Sequence, residues 1–297
     1  MGSTYRVTER SIATNVLAGL QGNLSRLGTT QQRLSTGKLI SRPSDSPTGT
    51  VAAMQYRSDT ALAKQYGRNA DDGMGWLNAQ DTALTGVVEQ LNRVRDLALQ
   101  GMSSGAGGSA EARESLATEI DNVRAESLGL ANTRYLDRPV FGGTTSGTGA
   151  FDTNGAYVGD TGQVQRTVGD NLKVRVDSDG QAIFGGGSTQ LFTLLAAVAD
   201  HLRTNPGALS ADLGRIDQLS GTLHAAQSSV GARYNQLSQA RQFSDDRVLD
   251  LTSQLSDVED IDLPKTLMDL SLQKTAYEAA LAAGAKVVQP SLVDFLR

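Results

Sequence analysis

The sequence predicts a mainly α fold: a long coiled-coil-like helical bundle formed by the N- and C-terminal segments, with a small β-rich insertion domain at the tip. Three observations predict it. Leucines recur at helical spacing near the start of the chain. Apolar residues then recur every seventh position over most of residues 216–258. Between these regions, residues 142–187 hold twelve glycines in 46 positions, too many for a stable helix. Only 5% of the 297 residues are aromatic, which suits thin helical layers better than a wide globular core.

Leu17, Leu20, Leu24, Leu27 and Leu34 are spaced 3, 4, 3 and 7, with Gln31 in the one polar place of the series. That spacing draws a narrow apolar seam along one helix face. Gly37 and then Pro43-Ser44-Asp45-Ser46-Pro47 end the helix, and Ser46 before Pro47 reads as the N-cap of the next one. The second helix is expected over roughly Thr48 to Gln100, clearest at Leu77, Leu84, Val87, Leu91, Val94 and Ala98. Gly73 and Gly75 should weaken it locally. A glycine-serine loop over Met102–Ser109 leads to a third helix, about Ala110 to Asn132, with Leu116, Ile120, Val123 and Leu130 on one face.

The central section reads as β structure and loops. Val164, Arg166 and Val168 alternate, as do Leu172, Val174 and Val176, around Gly169-Asp170-Asn171. This is a hairpin pattern. Asp177-Ser178-Asp179-Gly180 reads as a turn and Ala182-Ile183-Phe184 as a further strand. Helical spacing returns at Leu191, Leu194, Leu195, Val198 and Leu202. Ile216, Leu223, Val230, Leu237, Ser244, Leu251 and Val258 then follow at intervals of seven, which requires one long helix. Pro264 interrupts it. Leu267, Leu270, Tyr277, Leu281 and Val288 form a last seam, with Lys274 and Gly284 in its remaining places.

A two-in-seven seam cannot bury itself alone, so the N-terminal helices are expected to pack on the C-terminal ones. Charge favours that pairing: residues 1–42 carry six basic residues against Glu9, and residues 245–297 carry ten acidic against five basic. The resulting division is 1–45 and 263–297 as the arms of an inner coiled-coil domain, 46–140 and 189–262 as a helical rod, and 141–188 as the outer insertion. Each arm alone buries little, so its ordering should be coupled to docking. The insertion should add little core, and removal of about 144–188 should leave a soluble helical body.

Several chemistries find no support in the sequence. The net charge of −5 gives no general attraction for nucleic acid. No apolar run approaches the length of a membrane span. The absence of cysteine excludes disulfides and thiolate metal sites. His201 and His224 sit in helical stretches, where packed or exposed histidine is the commoner state. Asp177-x-Asp179-Gly180 lacks the remaining ligands of a calcium loop. The glycine runs at 105–108 and 185–187 do not follow the strand–glycine–helix order of nucleotide sites. Trp76 reads as a core anchor, Asn23-Leu24-Ser25 as part of a seam helix, and Asp257–Asp262 as a solvated corner. No catalytic residue, cofactor or metal is therefore expected. Met1–Arg10 lacks the pattern of a cleavable signal, so any export should use another route.

Leu34-Ser35-Thr36-Gly37-Lys38-Leu39-Ile40 with Pro43-Ser44-Asp45-Ser46-Pro47 resembles the N-terminal signature of the flagellin-like family; Ser46 stands where members usually have a second aspartate. Ala131-Asn132-Thr133-Arg134-Tyr135-Leu136 and Pro139-Val140-Phe141-Gly142-Gly143-Thr144 are similar to the hook-associated branch of that family. So are Val258-Glu259-Asp260-Ile261-Asp262 and Gln289-Pro290-Ser291-Leu292-Val293-Asp294-Phe295-Leu296. The asparagine-phenylalanine-asparagine-glycine run usual in flagellin is missing.

The resemblance implies a secreted structural subunit of the bacterial flagellum at the hook–filament junction. Its partners would be the hook-side junction protein, flagellin and further copies of itself in a ring layer. A cytoplasmic export chaperone and the flagellar type III export apparatus would carry it out. Flagellin itself is the alternative reading, and a cytosolic coiled-coil adaptor a more distant one. The assembly interface is expected on Leu17, Leu20, Leu24, Leu27, Leu34, Leu267, Leu270, Tyr277, Leu281, Val288, Leu292, Phe295 and Leu296.

Overall fold

The computed structural model describes residues 9–103, 108–147 and 149–288, with the side chains of 9–13, 188 and 286–288 set aside. Seven α-helices lie among these residues: α1 (Glu9–Thr36), α2 (Pro47–Met102), α3 (Ala110–Ala131), α4 (Gly180–Phe184), α5 (Leu191–Thr204), α6 (Leu209–Glu259) and α7 (Leu263–Val288). Two antiparallel strand pairs join them: β1 (Arg134–Tyr135) with β2 (Arg138–Pro139), and β3 (Gln165–Thr167) with β4 (Lys173–Arg175). The chain divides into two compact units, Leu62–Val248 and the combination of Met1–Ala61 with Leu249–Arg297. Both cut points fall inside long helices, α2 and α6, where composition gives no signal.

In the 62–248 unit, α2 and α6 run antiparallel. Asp71 pairs with Arg241 at 2.9 Å, Thr85 accepts from Gln227 at 3.1 Å, and Asp217 lies 3.5 Å from Arg95. The heptad of α6 is the buried stripe: Ile216, Leu223, Val230, Leu237 and Ser244 are each 4% exposed or less. α3 returns along α2, with Arg93 2.9 Å from Glu119 and Gln90 2.8 Å from Glu126. α5 packs on α3, where Arg203 reaches Glu114 and Asp121, both at 2.9 Å.

Gly73 and Gly75 do not break α2. A Cβ on Gly73 would come within 2.7 Å of Leu237 Cδ1, and one on Gly75 would strike the Tyr135 ring. The helix accepts their propensity cost to let neighbours approach closely. Tyr135 lies edge-on to Trp76 with centroids 5.9 Å apart, and Arg138 and Arg166 sit 5.7 and 5.9 Å from the indole centre. Trp76 is thus the buried anchor its neighbours pack around.

The central section departs from expectation in three ways. The hairpin forms, with Arg166 opposite Val174 and Val168 N donating to Leu172 O at 2.9 Å. Ala182-Ile183-Phe184, however, belongs to α4 and not to a strand. Asp179 decides this, because its carboxylate accepts from Gln181 N and Ala182 N and so caps a helix. Asp177–Asp179 accordingly leads into that helix and does not turn. The third departure is the larger. Phe141, Phe151, Val164, Val174, Val176 and Phe184 lie in the same hydrophobic cluster as Trp76, Leu84, Ile120 and Leu223. Phe151 alone meets Phe184 at 5.4 Å, Phe192 at 5.2 Å and Tyr157 at 5.3 Å. Glycine-rich composition hid a substantial share of the core.

Buried polar groups in this section are satisfied, as burial requires. Gln80, fully buried, donates to Val140 O at 2.8 Å and accepts from Ser178 Oγ at 3.0 Å. Asp177, 1% exposed, accepts from Val164 N at 2.7 Å and pairs with Arg175.

Candidate assembly surface

The other unit is built around α1 and α7, which pack on each other. Their starts and stops are written in the sequence. Gly37 has φ +70° and its N–H returns to Arg33 O at 2.8 Å, closing α1 in the left-handed conformation that favours glycine. Asp45 Oδ2 accepts from Ser41 N and Arg42 N at 3.1 and 2.9 Å, fixing the corner. Those bonds, led by the one from Arg42, hold the Asp45 carboxyl below its ordinary pKa. Ser46 then caps α2 by accepting from Gly49 N at 3.1 Å, with Pro47 at the first helical position. Asp262 caps α7 in the same way, accepting from Lys265 N at 3.1 Å, with Pro264 in the first turn.

The two helices are antiparallel. Thr30 Oγ1 donates to Gln273 Oε1 at 3.0 Å, and a Cβ on Gly284 would lie 3.0 Å from Val16 Cγ1. Just beyond α1 and before α7, a short bridge joins the chain segments: Leu39 N donates to Glu259 O at 2.6 Å and Ile261 N to Gly37 O at 3.1 Å. Lys38 Nζ donates to Asp260 Oδ1 at 2.6 Å, and Arg57 pairs with the nearly buried Glu259.

Burial shows which stripe the pair uses. On α1 the covered positions are Val16, Leu20, Asn23, Leu27, Thr30 and Leu34; on α7 they are Thr266, Leu270, Gln273, Tyr277, Ala280 and Gly284. Both run at alternating spacings of four and three. Leu20, Leu27, Leu34, Leu270 and Tyr277 belong both to these stripes and to the sequence-predicted ones. The remaining predicted leucines lie to one side of the joint. Leu17 is 58% exposed, Leu24 52%, and Leu267 and Leu281 43% each. The Val288 side chain and Leu292, Phe295 and Leu296 lie outside the described residues.

Sequence reasoning missed further apolar residues on α7. Leu263, Met268 and Leu272 are also more than half exposed. Met268 and Leu272, four apart, extend the apolar surface around a second side of the helix, a pattern visible in the sequence once more than one face is considered. Small residues leave a cavity of about 250 Å³ between the arms, lined by Val16, Gly19, Leu20, Asn23, Ala280, Ala283 and Gly284. The arm pair is therefore closed on one side and unsatisfied on others.

Among the described residues, neither histidine belongs to a larger cluster of candidate metal ligands. His201 meets Asp212 at 2.5 Å and His224 meets Gln227 at 3.1 Å, each a local pair. Among the described residues, no group of three or more His, Asp or Glu is placed to hold a metal. No helix among them is long and apolar enough to cross a membrane.

Residues 7–144 match the family described as the bacterial flagellin N-terminal helical region. Flagellar hook-associated protein 3 of Escherichia coli K12 is 25% identical over 85% of this chain and 87% of its own length. A flagellin of Bacillus subtilis strain 168 is 22% identical over 96% of each chain. Among solved structures, Bacillus cereus FlgL covers 69% of this chain and all of its own at 20% identity, with a TM-score of 0.59. The flagellar junction protein FlgL of Legionella pneumophila covers 70% of this chain and 99% of its own at 17% identity, with a TM-score of 0.55. At these identities the structural likenesses speak for the fold.

Proposed function

We infer that this chain is a structural axial subunit of the bacterial flagellum, acting as the adaptor at the hook–filament junction onto which the filament assembles. One observation carries the reading: the paired arms α1 and α7 leave Leu17, Leu24, Leu267 and Leu281 substantially exposed to one side of the joint they already make. A fully hidden leucine is worth roughly 1.5–3 kcal/mol, so four on one helix pair form a strong drive to acquire neighbours. The similarity to flagellar hook-associated protein 3 over 85% of the chain supplies the identity of the assembly. Its partners are then flagellar axial proteins: the hook-side junction protein, flagellin and copies of itself. The chain works through surfaces and needs no catalytic group.

Export follows in this reading from the flagellar type III apparatus, with a cytoplasmic chaperone covering the exposed apolar sides of α7 until assembly. The test is deletion in the source bacterium. Hooks without filaments, with flagellin shed into the medium, are the expected result. Flagellin is the second reading, favoured by the match to a Bacillus subtilis flagellin over 96% of the chain. Its outcome differs: the purified chain would then extend filament seeds without limit, whereas a junction subunit stops after a short layer.

A further inference from the structure

β1 and β2 are joined by Leu136 and Asp137, whose φ angles are 46° and 62°. A two-residue hairpin turn of this kind calls for positive φ at both places and is normally filled by asparagine, aspartate or glycine. Leucine in the left-handed region is strained. Yet Leu136 is 72% exposed and the Asp137 side chain 99%. Arg134 steadies the tip by donating to Asp137 O, but its guanidinium stays 3.9 Å from the carboxylate. A strained apolar side chain held in solvent contributes nothing to its own unit's core, and such strain concentrates at functional positions.

The same unit carries a cavity of about 250 Å³ among α4, α5 and α6. Ile183, Leu194 and Leu219 form its apolar lining, and Arg215, Gln218 and Thr222 its polar edge. Its volume falls below the roughly 300–1,000 Å³ of small-molecule sites, so it suits one or two side chains. Arg215 is half-exposed and reaches only to 3.9 Å from Asp212 Oδ1, an acid already engaged by His201.

Within one chain the turn is seated elsewhere: Tyr135 sits against Gly75 of α2, whereas the cavity is lined from α4, α5 and α6 and includes neither Leu136 nor Asp137. We propose that Leu136 and Asp137 of one copy dock into the cavity of a second copy, the leucine on Ile183, Leu194 and Leu219 and the carboxylate on Arg215. Apolar tip meets apolar lining, and the acid meets the under-partnered arginine. Because the two patches differ, the contact is head-to-tail and either closes a ring or winds into a helix. It lies outside the terminal arms and does not depend on their leucines.

The cysteine-free sequence allows a direct test in the full chain. Chains carrying Asp137→Cys and Gln218→Cys are mixed in equal amounts at high concentration and oxidised. The expected result is a disulfide-linked heterodimer, several-fold above that from Asp137→Cys with Glu89→Cys. Leu136→Gly should raise the melting temperature by relieving the turn, while lowering self-association. Asp137→Arg and Arg215→Asp should each lower self-association, and together in one chain should restore it. Equal cross-linking with Glu89→Cys, or unchanged self-association in folded Leu136→Gly, overturns the proposal.

Discussion

Lys38 Nζ lies 2.6 Å from Asp260 Oδ1 and 3.6 Å from Glu259 Oε2, at the point where two backbone hydrogen bonds bridge the segments leading out of α1 and into α7. The two residues are 222 positions apart in sequence, so this contact fixes how the arms are laid together. The hydrogen bond from Lys38, then that from Ser256, holds the Asp260 carboxyl below its ordinary 3.8. The same bond to Asp260 holds the Lys38 ammonium above its ordinary 10.5.

The sign of the pH dependence follows from those shifts. Asp260 stabilises the bridge above pH 3.8 and loses its contribution as pH falls through its lower folded value. Lys38 stabilises it below pH 10.5 and loses its contribution as pH rises through its higher folded value. Protection of the Leu39 and Ile261 amides from hydrogen exchange should therefore be flat across neutral pH and fall at both extremes. Both side chains are about 40% exposed, so the effect should shrink with added salt. Asp260→Asn should lower protection at neutral pH to the level wild type shows in acid. Protection unchanged in that variant would leave the bridge to its backbone hydrogen bonds alone.

The leucines of the arms should fall into two classes. Leu17→Ser combined with Leu281→Ser removes groups that are about half exposed and lie off the joint, so each should cost the monomer less than about 1 kcal/mol. Assembly onto hooks should be lost. Leu27→Ala and Leu270→Ala act on the joint itself. They are half-buried, so each should cost about 1–2 kcal/mol of arm pairing, less than a fully buried leucine. Chemical denaturation and hook decoration together separate the classes. Equal loss of stability in both would mean that Leu17 and Leu281 are covered within the monomer.

Much of this was legible in the residues. Seven-residue spacing found the buried face of α6 because a long helix against one antiparallel neighbour repeats its contacts at that interval. The arms were harder. Leu20, Leu27 and Leu34 belong to two overlapping stripes, one continued by Leu17 and Leu24, the other by Val16, Asn23 and Thr30. Hydrophobicity favours the first. The joint uses the second, because Thr30 meets Gln273 by a hydrogen bond and Gly284 makes room for Val16. The two polar members that concealed the joint left the leucines of the other stripe free. The core role of residues 141–188 was illegible for a different reason: Phe141, Phe151 and Phe184 are far apart in sequence and meet only across loops.

That aromatic cluster overturns the expectation that the insertion contributes little core and sets a further prediction. Phe184 is fully buried against Phe141, Phe151 and Phe192. Phe184→Ala should cost about 3–5 kcal/mol, read from denaturant midpoints. Deleting residues 144–188 would strip Phe151 and Phe184 from Phe192 and Arg166 from Trp76 as well, so the shortened chain should express insolubly. A soluble, cooperatively melting product would show that the helices of the 62–248 unit close without it.

Two glycines of α1 and its cap should respond in opposite directions to the same substitution. Gly37 has φ +70°, and placing a Cβ there costs about 1–2 kcal/mol although space is open around it. Gly28 lies inside α1 with helical geometry and nothing within 4 Å of a Cβ. Alanine there should stabilise α1 by about 0.4–1 kcal/mol, chiefly by restricting the unfolded chain. Gly37→Ala should loosen the Leu39–Glu259 bridge in hydrogen exchange, and Gly28→Ala should tighten it. Because both substitutions add the same methyl group, opposite signs would assign the effect to backbone conformation. Equal signs would mean that the α1 terminus does not govern the bridge, and that Lys38 and Asp260 hold the arms together without it.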